Sequence, residues 1–189
     1  MDNGTISLNQ AKRDLKQKKF SDALPVLERL VTAESKASGE AAYCLGILYQ
    51  SGNGVPVNLE RAKTYYSVAA EAGYLMGTYR LGGIYHEEGE LGRAYQCYKA
   101  VANCNPSAAY WAFRIVTDNN DLDSDPNAPE TFLSMAAEQG HVLAQRIIAM
   151  KYISGKNGFS KIPWGARLFV KMALATARAV NKDDKLKYT

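Results

Sequence analysis

The sequence predicts an all-α fold: a solenoid of about five stacked antiparallel helix pairs. Three observations carry that prediction. A nine-residue pattern recurs at residues 41–49, 77–85, 109–117 and 144–152. Its apolar members, such as Ala41, Leu45, Leu48 and Tyr49, fall on one face of a 3.6-residue helix. A second segment of the same period follows, and helix-breaking glycines and prolines separate the two.

The elements follow in chain order. Residues 1–38 form a looser helix pair, with Ala11, Leu15, Phe20, Ala23, Leu24, Leu27 and Leu30 at helical spacing. The pair is expected to cap the N-terminal end, with Pro25 early in its second helix. Repeat 1, residues 39–74, has a first helix around Leu45 and a turn at Gly52-Asn53-Gly54-Val55-Pro56. Asn58 then caps a second helix carrying Ala62, Tyr65, Tyr66, Ala69 and Ala70. Repeat 2, residues 75–104, shortens the turn by four residues and continues through Ala94, Cys97, Tyr98, Val101 and Ala102. Repeat 3, residues 105–140, has a long acidic connection at 118–129. Repeat 4 spans 141–181, with Pro163 opening a helix of Ala166, Phe169, Val170 and Ala173. All of this makes one domain, 1–181, with a polar tail at 182–189. Gly73 and Gly140 suit a left-handed residue just past a helix end. Gly46 and Gly82 share one repeat position inside a helix, where glycine costs about 1 kcal/mol. They predict a close approach of two helix backbones.

Residues Leu45-Gly46, Leu48-Tyr49, Gly52, Gly54-Val55, Arg61-Ala62 and Ala69-Ala70-Glu71-Ala72-Gly73 match a specific motif of about ten positions in 33 residues. With them the chain resembles the Sel1-like repeat family, a relative of the tetratricopeptide repeat. Counting degenerate copies, the resemblance covers most of residues 39–181. The third copy departs from it, with Arg114 at the glycine position. The resemblance implies a right-handed superhelix and a non-enzymatic adaptor or scaffold. It also implies the settings of bacterial members: signalling, envelope processes and host or competitor interactions.

Composition excludes several classes of function. The chain has 189 residues, 47% hydrophobic and 22% charged, which is ordinary for a globular domain. No apolar run reaches the roughly 18–20 residues of a membrane span, and residues 1–19 lack the apolar core of a signal peptide. With Met1 as the native start, the expected location is the cytoplasm. Three cysteines, Cys44, Cys97 and Cys104, lack metal or disulfide spacing and read as small apolar residues in helices. His86 and His141 have no HExxH spacing. Residues 121–125 begin like a calcium loop, but Pro126 and Phe132 stand where glycine and glutamate belong. No nucleophile elbow or phosphate loop is present, so no enzyme activity, cofactor or metal is expected. Residues 151–189 carry 9 basic and 2 acidic side chains, which read first as a solvated helix face with a frayed end and second as a surface for an acidic partner, and no stripe is dense enough for a nucleic-acid footprint.

The expected partner is a protein or peptide. First helices line the concave face of such a solenoid. By analogy with tetratricopeptide repeats, their residues away from the packing positions face the groove: Tyr43, Ile47 and Gln50; Tyr79 and His86; Trp111 and Ile115; Arg146 and Met150. Tyr43, Tyr79, Trp111 and Arg146 read as one register, an aromatic stripe ending in a cation, and these are residue types enriched at hot spots. The alternative is a homo-oligomer that self-assembles through the solenoid ends.

Overall fold

The computed structural model describes residues 3–33 and 37–153. The second helix expected in repeat 4, its turn, the basic section beyond residue 153 and the tail lie outside the described residues. Among the described residues there are nine α-helices and no strand: Asn3–Lys16 (α1), Phe20–Thr32 (α2), Ser38–Ser51 (α3), Leu59–Glu71 (α4), Leu75–Glu87 (α5), Leu91–Val101 (α6), Pro106–Asp118 (α7), Ala128–Glu138 (α8) and Val142–Ile153 (α9). They fall into two compact units that divide after Val101.

In the first unit each of α1 to α6 packs on the next, and α3 also touches α5. Leu8 and Ala11 of α1 and Ala23, Leu27 and Leu30 of α2 share a core with Ala41, Leu45 and Leu48 of α3. Lys12 pairs with Glu40 at 2.5 Å across α1 and α3, partly exposed and so of small worth. A second core joins Tyr49, Ala62, Tyr66, Leu81 and Ile84 from α3, α4 and α5. In the second unit α7 packs on α8 and α8 on α9, around Ala109, Phe113, Val116, Phe132, Leu133 and Ala136.

Local chemistry sets the helix ends. The Asn58 side chain accepts from the Arg61 amide at 2.9 Å, capping α4 as expected. Asn105 does the same for α7, accepting from Ser107 and Ala108 ahead of Pro106. Pro25 stands deeper than expected, because α2 begins at Phe20 and the proline falls in its second turn. Having no N–H, it leaves the Ser21 carbonyl without its helical donor.

One helix stop recurs. Gly73 and Gly140 have φ of 76° and 94°. The Gly73 amide donates to Ala70 and the next amide, Tyr74, to Ala69; Gly140 and His141 repeat this with Ala137 and Ala136. This is the Schellman arrangement. Between α1 and α2 the same two bonds form, Lys18 to Leu15 and Lys19 to Asp14. There the left-handed residue is Lys18, at φ 60°. A side chain in that region costs roughly 1–2 kcal/mol. Lys18→Gly is therefore expected to stabilise the protein by about 1 kcal/mol, raising Tm by about 2–4 °C. A thermal melt of the variant beside the wild type measures it, and an unchanged or lower Tm contradicts the strain.

The two matched glycines inside α3 and α5 meet the expectation differently. A Cβ on Gly46 would lie 2.4 Å from Cε1 of Tyr66, so this glycine seats a tyrosine ring. One on Gly82 would meet the Cys97 Cβ at 3.0 Å and Cε1 of Tyr98 at 3.1 Å, so there α6 itself comes close as well as its ring. At Gly77 a backbone is met directly: its Cβ would stand 2.5 Å from the Ala69 Cβ and 3.1 Å from the Ala70 amide nitrogen.

Candidate interaction surface

Four tyrosines, an arginine and a glutamine converge where α3 and α5 lie side by side. The Tyr66 ring, fully buried, passes over Gly46 and donates its hydroxyl to Oε1 of Gln50 at 2.8 Å. The side chain of a second helix so reaches the first-helix face. Burial pushes the Tyr66 phenol up to about 12, so it stays a donor. Tyr43, half-buried, lies tilted against Tyr66 at 6.0 Å and Tyr74 at 5.2 Å. The Arg80 guanidinium hydrogen-bonds to Tyr43; burial opposes its charge, but that bond and the nearby Tyr43, Tyr66 and Tyr79 oxygens raise its pKa. Tyr79 is tilted on Tyr98 at 5.8 Å.

Of the residues predicted for a groove, the first unit gathers five. Tyr43, Ile47, Gln50, Tyr79 and His86 are all half-buried on α3 and α5. Ile47 leans on the second core cluster, so it packs as well as faces outward. In the second unit, Trp111 is half-buried and lies 6.2 Å from Tyr110, while Arg146 and Met150 are exposed on α9. Ile115 is a correction: it is 3% exposed and belongs to the core.

The reason is register. In α5 and α9 the small residue Gly77 or Ala144 stands three places after the residue that precedes the helix, Tyr74 or His141. In α7 that place is Ala108, one residue before the alignment suggested by sequence. The buried face of α7 moves accordingly, burying Ile115 and exposing Arg114, whose guanidinium reaches Tyr110. Tyr110, not Trp111, is then the counterpart of Tyr43. The contacts agree, since Tyr43 meets Tyr74 and, 31 residues apart again, Tyr110 stacks on His141 at 4.3 Å and 19°. The counterpart of Gly46 becomes Phe113, and that of Tyr66 is Leu133, fully buried. This pair keeps neither the glycine nor the tyrosine.

His141 also ends the loop before α9, its Nδ1 accepting from the Ala144 amide at 3.4 Å. Burial lowers its pKa, and the neutral ring is the form that can accept. Cys44 is half-buried in α3 with its thiol pushed by burial to about 11, and burial raises Cys97 in α6 likewise. Cys104 departs from expectation, being exposed in the turn after α6.

The helix-pair fold is shared with known structures. A Sel1 repeat protein from Oxalobacter formigenes superposes with TM-score 0.73 over 89% of this chain and 68% of its own, at 22% identity. This is the Sel1-like repeat fold. A second solved structure, a protective antigen of uropathogenic Escherichia coli strains displaying an SLR fold, gives TM-score 0.79 at 21% identity, over 92% of this chain and 38% of its own. In sequence, the chain is 26% identical over 114 residues to a protein of Acanthamoeba polyphaga mimivirus described as sel1-like repeat-containing. That match spans 59% of this chain and about a fifth, 21%, of the viral protein's length. No family model matches the chain. In the Sel1-like frame, sequence reasoning found Tyr43, Gln50 and Tyr79 but missed Tyr66, Tyr74 and Arg80 beside them. A signal for Arg80 existed: its counterparts by repeat position are Cys44 and Trp111, so a cation there is out of pattern. Among the described residues no helix is long and apolar enough to cross a membrane.

Proposed function

We propose that this chain is a protein-recognition module, an adaptor or scaffold that takes a protein or peptide on the first-helix faces of its pairs. The observation that carries the reading is the composition of the α3–α5 face. Tyr43, Ile47, Gln50, Tyr79 and His86 lie there half-exposed, aromatic, aliphatic or polar rather than acidic or lysine-rich. Such residues make contact area with few rotamers to fix, as binding anchors do. The Sel1-like fold supports it, since helical repeats offer extended surfaces rather than enclosed pockets. The described residues hold no group of three or more His, Cys, Asp or Glu placed to bind a metal ion.

The test compares capture of partners from host lysate by wild type and by a Tyr43→Ala/Tyr79→Ala variant, with helicity followed by circular dichroism. Each truncated anchor is expected to cost on the order of 2 kcal/mol of binding. A partner lost by a variant of unchanged helicity supports the reading. A partner held equally by both moves the surface elsewhere, and a variant that unfolds makes the two rings packing residues.

A further inference from the structure

We infer that the surface between α3 and α5 receives an acidic side chain, one Asp or Glu within a bound peptide, through the guanidinium of Arg80. The inference rests on the recognition reading and names the chemistry of the partner.

Charge is the first argument. The other basic side chains on this part of the first unit are engaged. Lys12 pairs with Glu40, Lys63 with Glu88 and Arg93 with Glu90, while Arg61 donates to the Tyr49 hydroxyl and lies over its ring. Arg80 is exposed, hydrogen-bonds to Tyr43 and lies within electrostatic reach of Tyr66 and Tyr79. No carboxylate among the described residues pairs with it. A guanidinium has five donors in a fork that matches a carboxylate, and Tyr43 engages only part of it. One uncompensated cation suits one carboxylate; a phosphate dianion would call for a second.

Orientation is the second argument. Arg80 stands in the middle of α5, held by a ring from α3 that is itself wedged between Tyr66 and Tyr74. The guanidinium is thereby positioned before any ligand arrives, which lowers the entropy cost of engaging it. Contact surface continues on both sides, Tyr74 towards the start of α5 and Gln50 and His86 towards its end. A chain can run past Arg80 in both directions, which favours an internal acidic side chain over a terminal carboxylate.

The experiment pans the full chain against a displayed library of random nonapeptides fused through their C-termini, then measures selected peptides, synthesised as C-terminal amides, by fluorescence anisotropy. Selected peptides are expected to share one Asp or Glu position. Replacing that residue by its amide should weaken binding about tenfold or more, the size of a charged hydrogen-bonded contact. Arg80→Gln should weaken the acidic peptide equally, leave the amide peptide unaffected, and add nothing when the two changes are combined. Arg80→Lys, which keeps charge but not the fork, should recover only part. Peptides without a common acidic position, or an Arg80→Gln chain that binds them unchanged, overturn the role of Arg80 and leave the recognition reading standing. A library that yields no binder overturns the acidic-peptide inference, while the capture experiment above decides the recognition reading.

Discussion

Replacing Tyr66 by alanine is expected to destabilise the protein by about 3–5 kcal/mol, the range for emptying a buried aromatic site. The ring is fully buried in the core that joins α3, α4 and α5, and the surroundings have no way to collapse around a void between three helices. Tyr66→Phe keeps the ring and removes the bond to Gln50, so its cost should be near 1 kcal/mol. Equilibrium urea unfolding followed by circular dichroism measures both. A cost for Tyr66→Ala under about 1 kcal/mol would mean that the ring is not a core element. The pairing with Gly46 gives a sharper form. Gly46→Ala should be destabilising in the wild type, where its methyl meets the ring at 2.4 Å. In a Tyr66→Leu background it should be neutral or stabilising, since alanine is then the better helix former by about 1 kcal/mol.

Gly77→Ala is the second large effect, about 2–3 kcal/mol of destabilisation. Overpacking costs typically 1–3 kcal/mol, and here the obstacle does not swing aside. The added methyl would stand 2.5 Å from the Ala69 Cβ and within 3.2 Å of that residue's backbone carbon. Relief requires moving α4 away from α5. The counterparts Ala108 and Ala144 are fully buried and carry a methyl, so a methyl is no obstacle to the helix itself; the neighbour forbids it at Gly77. The same unfolding measurement decides. A variant as stable as the wild type would show that the pair opens at little cost.

Much of the fold was legible because repeats state the same fact several times. The helix pairs, the Asn58 cap and the left-handed stops at Gly73 and Gly140 each follow from a residue type that few conformations need. The third copy misled because its landmark had been exchanged. With Phe113 and Leu133, both buried, in place of a glycine and a ring, neither landmark of the other pairs is visible in this one. The pattern was then matched one residue late, which put Ile115 and Trp111 in the wrong register. The candidate surface was half legible. Its first-helix members could be read from period, whereas Tyr66 looked like an ordinary core residue of the second helix. That its hydroxyl emerges at Gln50 depends on a ring crossing a glycine, a three-dimensional fact.

The glycine–ring pairs carry a consequence for how such a chain can change. Gly46 and Tyr66 are 20 residues apart, Gly82 and Tyr98 only 16, and the whole difference lies in the link between the two helices, seven residues in one pair and three in the other. Two lengths of link therefore serve one interlock. Lengthening such a segment adds only the slowly growing entropy of loop closure, about 0.6 kcal/mol per doubling. The links are places where sequence can be inserted or deleted without resetting the helices on either side, and new contacts can be tried there while the ring stays in its seat.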